Sequence, residues 1–172
     1  KISAESFDYF VKVNTTSVFE NGFKEEVLGL QFLKKYGAIT PKIIIEGIYN
    51  KTIYLVLSWI DTALETTHFW QNFAQQLADL HRHKGIQFGL EYANFMGQLS
   101  QKNTFFNDFS IFFIENRLKP QVKLAFKKGL IDTKELNQFE SLYPQLDALI
   151  PKEKPCAVHG DLWSGNYIAS PN

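Results

Sequence analysis

The chain has a single cysteine, Cys156, so no internal disulfide can form and a reducing compartment fits. A lone Cys inside an apolar run behaves as a small buried hydrophobe rather than as a nucleophile. An excess of charge of one sign is also missing, because eighteen Lys and Arg cancel eighteen Asp and Glu. No broad basic face is therefore expected, which argues against nucleic acid and anionic membrane as partners. Long hydrophobic runs are missing as well. The longest lies near Ile53 to Ile60, whereas a bilayer needs about 20 apolar residues. The expectation is a cytoplasmic protein. Internal repeats and low-complexity linkers are absent too, and 172 residues suffice to bury a core. Phenylalanine, by contrast, is plentiful. Its sixteen copies are in many places spaced to fill helix faces.

The first part of the chain reads as β with one helix. Tyr9 to Val13 alternates as a strand, with Phe10 and Lys12 on one face and Tyr9, Val11 and Val13 on the other. Glu20 to Tyr36 has helical spacing and is closed by Gly37 and Pro41. Ile43 to Ile48 and Thr52 to Trp59 read as strands around a turn at Tyr49-Asn50-Lys51. After Asp61 the pattern becomes helical. His68 to His83 carries Trp70, Phe73, Ala74, Leu77, Leu80 and His81 at helical spacing. Thr104 to Arg117 does the same with Phe105, Phe109, Phe112 and Phe113, and Pro120 kinks or restarts that helix. Gly129 after Lys127 and Lys128 signals a helix end. Asp132 with Glu135 forms a capping-box pattern for a last helix to about Leu149.

The most informative stretch is His159-Gly160-Asp161-Leu162-Trp163-Ser164-Gly165-Asn166. It follows a short apolar run, Cys156 to Val158, that reads as a strand. An Asp stands five residues ahead of an Asn. Phosphoryl transfer needs that pairing, a carboxylate to accept the proton of the attacking hydroxyl and a neutral oxygen to help hold Mg²⁺. The protein-kinase loop H-R-D-L-x-x-x-N has the same spacing. Here Gly160 replaces the Arg, as in small-molecule kinases of the aminoglycoside-phosphotransferase type. The plain alternative is a strand followed by a turn made of ordinary turn residues. A β-rich part, then a helical part, with this loop late, is the order of an α+β, bilobal protein-kinase-like fold. Its lobes would be residues 1–60 and 61–172, divided near Ser58 to Thr62.

The octet resembles the signature of the fructosamine-3-kinase (ketosamine kinase) family. The resemblance extends through Phe10 to Asn14, Phe23 to Leu30, and Leu77 to His81. It continues in Asn94 to Gly97, Gln101 to Asn103 and Phe112 to Leu118. It implies an ATP- and Mg²⁺-dependent kinase acting on the sugar 3-hydroxyl of ketosamines, including those on glycated lysine. Fructosamines, ribulosamines and erythrulosamines are all candidate acceptors. Aminoglycoside, choline or homoserine kinase-like activity and a non-catalytic pseudokinase are the competing readings. The family also has a glycine-rich phosphate loop, expected ahead of Lys1, and an Asp in an Asp-Pro-Ala context, expected after Asn172. The chain is accordingly expected to be truncated at both ends and catalytically silent by itself.

Lys12 is a charge inside an apolar strand. Its functional reading is an ammonium for the α- and β-phosphates of ATP, and its ordinary reading is a strand-edge Lys. Such a lysine needs a carboxylate on the next helix. Glu26 falls in the stripe of Phe23, Val27, Leu30 and Leu33, whereas Glu25 falls away from it, near a second group of Leu28 and Phe32. Glu26 is therefore favoured, and the family match lands on it too. Asp161 is the candidate base and Asn166 the candidate metal ligand. Trp163 is either a wall of the acceptor pocket or a packing residue under the loop. His159 buttresses the loop and borders the substrate. Ser58, Trp59 and Ile60 follow the strand that leads to an adenine-binding hinge, where backbone groups do the binding. The family usually has an acidic residue where Ser58 stands. Gln101, Asn103 and Arg117 carry no substrate argument and serve to bolt the helical part together. His81 reads as a satisfied core histidine, and His68 and His83 as surface residues.

Overall fold

The computed structural model describes residues 1–4, 7–16, 22–97 and 99–171. They form two compact units. One comprises Lys1–His83 with Ala157–Asn172, the other Lys84–Cys156. These units divide the chain at different places from the change in residue character near 58–62.

The first unit is built on a four-stranded antiparallel sheet in the order β1-β2-β4-β3. Its strands are β1 (Ile2–Ala4), β2 (Phe7–Thr15), β3 (Ile43–Tyr49) and β4 (Thr52–Ser58). β3 and β4 form a hairpin with Tyr49 opposite Thr52. Asn50 and Lys51 both have positive φ, 47° and 66°. This is the geometry of a two-residue turn whose twist matches that of the strands. Helix α1 (Lys24–Lys35) starts later than the Glu20 expected from its spacing. Gly22, at φ 69°, is left-handed and cannot belong to the helix. Glu20 itself lies outside the described residues. The helix lays Val27 against Leu55 and Leu57 of β4, with Phe23, Leu30 and Ile43 around them. Ile53 and Leu55 are fully buried, and each such side chain contributes about 1.5–3 kcal/mol through its removal from water. Helix α2 (Thr67–Arg82) is opened by the Thr66 side chain, which accepts from the Phe69 N–H. His81 on this helix is half-buried, short of the full burial expected of a core residue. Its helix presents only Leu80 to full burial.

The second unit holds a small hairpin, β5 (Asn94–Met96) with β6 (Leu99–Gln101), followed by helices. α3 (Phe109–Phe113) begins five residues later than the Thr104 expected from the phenylalanine spacing. Phe106 instead pairs with Phe88 in an isolated bridge, and the Asp108 side chain caps the helix by accepting from Ile111 N–H at 3.1 Å. α3 runs through a π-helical turn, Ile114–Leu118, into α4 (Lys119–Lys127). Pro120 has no N–H for the carbonyl of Asn116, and the Arg117 guanidinium donates to that oxygen instead. α4 ends in a Schellman arrangement, with Gly129 at φ 67° and Leu130 N–H donating to Ala125 O. Two residues separate Gly129 from Asp132, whose capping box with Glu135 opens α5 (Thr133–Leu142). The helix expected to reach Leu149 is interrupted at Tyr143–Gln145, where Pro144 tightens the chain, and resumes as α6 (Leu146–Leu149).

Gln101, Asn103 and Asn116 are buried. Asn103 donates to Tyr92 O and Asn94 Oδ1 and accepts from Arg117. Arg117 also donates to Lys102 O, and Asn116 to Thr104 O. This network ties β5, β6 and the π-helical turn together. It satisfies polar groups that would otherwise be costly to bury.

Candidate functional site

Lys12 stands on β2 opposite Leu55 of β4. Cross-strand partners share a face, so Lys12 belongs to the face that α1 covers. The neighbour of Val27 on α1 is Glu26, which the burial of Val27 carries toward that face. The Lys12 ammonium donates to both oxygens of Glu26, at 2.8 and 2.6 Å, and lies 5.7 Å from the centre of the Phe23 ring. Both side chains are about one-third exposed. The pair therefore stays open to solvent, and the ammonium can meet a further anion without being unearthed.

The three hinge candidates are tied by their backbones and differ in what they leave open. Ser58 N–H donates to Lys42 O, and the Ser58 hydroxyl accepts from Lys42 N–H. Trp59 N–H donates to Asp8 O, and its indole N–H to the Asp61 carboxylate. Of the three N–H groups, only that of Ile60 is unengaged among the described residues.

The run Cys156 to Val158 is not a strand. It makes a single rung, Cys156 with Lys84, bracketed by the bonds Gly85 N–H to Pro155 O and Ala157 N–H to His83 O. The chain beside it leaves helix α2 only at His83, and Lys84 alone pairs with the run. The loop that follows is held by its own groups. Gly160 takes φ 84°, a region open chiefly to glycine. Asp161 N–H donates to His159 Nδ1 at 3.3 Å, so His159 does buttress the loop. The Asn166 side-chain NH₂ donates to both Asp161 O at 2.7 Å and Asp161 Oδ2 at 3.0 Å. Since both partners are acceptors, the orientation of the amide is fixed, and its Oδ1 faces away from Asp161. Asn166 N–H closes a turn on Trp163 O at 2.9 Å. Trp163 is 60% exposed and is therefore not packed beneath the loop.

The exit of the loop is anchored on α2. Tyr167 meets the rings of Phe69, Trp70 and Phe73 at 5.0–5.9 Å between centres. Its hydroxyl donates to Glu65, and Ala63 N–H donates to Ala169 O. Loss of hydration and then the Glu65 carboxylate push the Tyr167 phenol above its ordinary value. Sequence reasoning missed Tyr167 as the residue that fixes the position of Asn166. The aromatic residues Trp70 and Phe73, read only as part of a helical stripe, and Phe69 beside them were the available signal.

Lys12, Glu26, Ser58, Trp59, Ile60, His159, Asp161, Trp163 and Asn166 all belong to the first compact unit. A hard cation such as Mg²⁺ takes oxygen ligands and keeps several waters. The Oδ1 of Asn166, which accepts no side-chain bond among the described residues, suits it. No group of three or more His, Cys, Asp or Glu that could hold a metal occurs among the described residues.

The family profile described as Fructosamine kinase matches residues 1–172. The chain belongs to the fructosamine kinase family. It is 32% identical over 170 residues to a protein of Enterococcus faecium named "Probable ketoamine kinase", covering 98% of the chain and 60% of that protein. A "Probable ketoamine kinase" of Synechocystis is also 32% identical, over 92% of the chain and 53% of its own length. The crystal structure of a "Putative fructosamine-3-kinase" from Haemophilus somnus superposes with a TM-score of 0.81 at 28% identity, covering 95% of the chain and 55% of that one. This fructosamine kinase chain thus has the α+β, kinase-like fold of its solved relatives and spans a little over half the length of the proteins it matches.

Proposed function

We propose that the protein containing this chain is an ATP- and Mg²⁺-dependent kinase that phosphorylates the sugar 3-hydroxyl of ketosamines, free or on glycated lysine. The observation that carries this reading is the presence of the Lys12–Glu26 pair and the Asp161–Asn166 loop in one compact unit. In this reading residues 1–60 serve the nucleotide and 61–172 the acceptor and the chemistry. MgATP supplies the phosphoryl group and the charge neutralisation that its transfer needs. Lys12, steadied by Glu26, binds the α- and β-phosphates. Ser58, Trp59 and Ile60 line the adenine edge, with Ile60 N–H the donor open to a base. Asn166 offers Oδ1 to the metal. Asp161 orients the acceptor hydroxyl and takes its proton. Trp163 and His159 border the acceptor.

Phosphorylation at that hydroxyl makes the adduct unstable, so the amine is released and the protein is deglycated. Ribulosamine, fructosamine and erythrulosamine adducts share the chemistry that this site would read. The lone cysteine fits a cytoplasmic setting. The test is calorimetric titration of the full-length protein with MgATP, followed by product analysis with ribuloselysine and fructoselysine. Phosphate on the sugar of either is the expected result. MgATP binding with transfer only to an aminoglycoside, choline or homoserine would move the acceptor class. Absence of MgATP binding would overturn the kinase reading altogether.

A further inference from the structure

The loop contains two glycines, and they are glycine for different reasons. At Gly160 the backbone demands it, since φ is 84° and nothing lies within 4 Å of where a Cβ would stand. Gly165 is the reverse. Its φ is not positive, so the backbone would accept any residue. A Cβ there would instead fall 2.5 Å from Trp163 Cζ2, 2.6 Å from Cη2 and 3.0 Å from Cε2. The three nearest atoms all belong to one indole. Gly165 sits in the middle of the turn closed by Asn166 N–H on Trp163 O. The indole therefore folds back across its own turn and lies against the bare Cα of Gly165, with much of its surface still in solvent.

We infer that Gly165 is a positioning residue for the acceptor, because the missing side chain is what seats the Trp163 indole across the loop. The inference rests on the ketosamine-kinase reading for its acceptor and on the loop geometry for the seat. Bulk at position 165 lifts the ring edge. The ring is the free end of an exposed side chain, so it moves more readily than the turn does. The acceptor then loses an aromatic surface beside Asp161, while Lys12, Glu26 and the hinge groups assigned to the nucleotide are untouched. A sugar or the carbon chain of a glycated lysine is the kind of group such a face would take.

The test is a double-mutant cycle in the full-length protein with Gly165→Ala, Trp163→Phe and the pair. Gly165→Ala should raise the KM for ribuloselysine by roughly fivefold, the scale of one lost aromatic contact, with the KM for ATP unchanged. In the Trp163→Phe background the same substitution should add little, because the two residues act as one unit. Indole fluorescence supplies a readout that needs no turnover. Gly165→Ala should increase acrylamide quenching, and the increase should vanish in the Trp163→Phe background. A KM effect of equal size in both backgrounds would overturn the inference, as would unchanged quenching. Failure of wild-type protein to phosphorylate any ketosamine would remove the acceptor reading, and the quenching arm would still decide whether Gly165 seats the ring. Should Gly165→Ala unfold, as a melt would reveal, Trp163→Phe with unaltered acceptor KM overturns the inference from the other side.

Discussion

At the scale of single residues, the decisive contacts are short and few. Asp161 is held by the Asn166 amide on both its backbone and side-chain oxygens. Asp161→Asn keeps an oxygen in position to accept that bond, so the loop should stand while the proposed base is lost. The expected result is a fall in kcat of about 10²-fold or more, with the ATP dissociation constant and the melting temperature close to wild type. Near-wild-type kcat would remove Asp161 from the chemistry. The Lys12–Glu26 pair permits a sharper measurement. A partly exposed ion pair contributes about 0.2–1 kcal/mol to folding, so breaking it should barely move the melting curve. Lys12→Ala and Glu26→Ala should each weaken nucleotide use, and the double variant should be little worse than either single one. Glu25, which has interactions of its own, should leave nucleotide affinity nearly unchanged when replaced by Ala. A Glu25→Ala loss as large as that of Glu26→Ala would show that helix α1 presents a different side in solution.

At the scale of elements, legibility followed length and local chemistry. The Lys12–Glu26 pairing was readable because one helical turn sets Glu26 in the stripe of Phe23, Val27 and Leu30. The Asp132 box and the Gly129 stop were readable because the one is complete within four residues and the other within six. β1, β5 and β6 were not, since three residues carry no periodicity. The start of α3 was misplaced because phenylalanine spacing says nothing of capping, whereas Asp108 decides it. Cys156 to Val158 looked like a strand from composition, but strand formation depends on a neighbouring backbone, and only one rung is supplied. The Asp108 cap yields a pH prediction. Lys152 first, then the Ile111 N–H, hold the Asp108 carboxyl below its ordinary 3.8. A carboxyl lowered in the folded state stabilises above its unfolded value, and that contribution disappears as pH falls through the folded one. Asp108→Asn keeps a competent cap and removes the charge. Its denaturant midpoint should lie below wild type at neutral pH, and the gap should close as the pH drops below 3.8. A gap that stays constant into acid would mean that the charge of Asp108 contributes nothing.

At the scale of the whole molecule, most of the proposed nucleotide and acceptor groups depend on pairings between distant parts of the chain. Lys12 meets Leu55 and Glu26 only after β2 and β4 have found each other. Asn166 is steadied by Tyr167 against α2, about a hundred positions earlier in the chain. The corner between α4 and α5 is the opposite case. Its stop signal at Gly129 and its start signal at Asp132 sit almost side by side, and every bond that shapes it joins residues a few positions apart. Closing such short spans costs little entropy and takes microseconds or less, whereas distant strand pairing is slow. The two halves of the fold should therefore be separated in time. In a refolding experiment with pulsed hydrogen exchange, amides of α4 and α5 should gain protection before those of β2 and β4. The helical corner would then be a seed already present while the sheet that carries Lys12 is still being assembled, and protection arriving first in the sheet would refute that order.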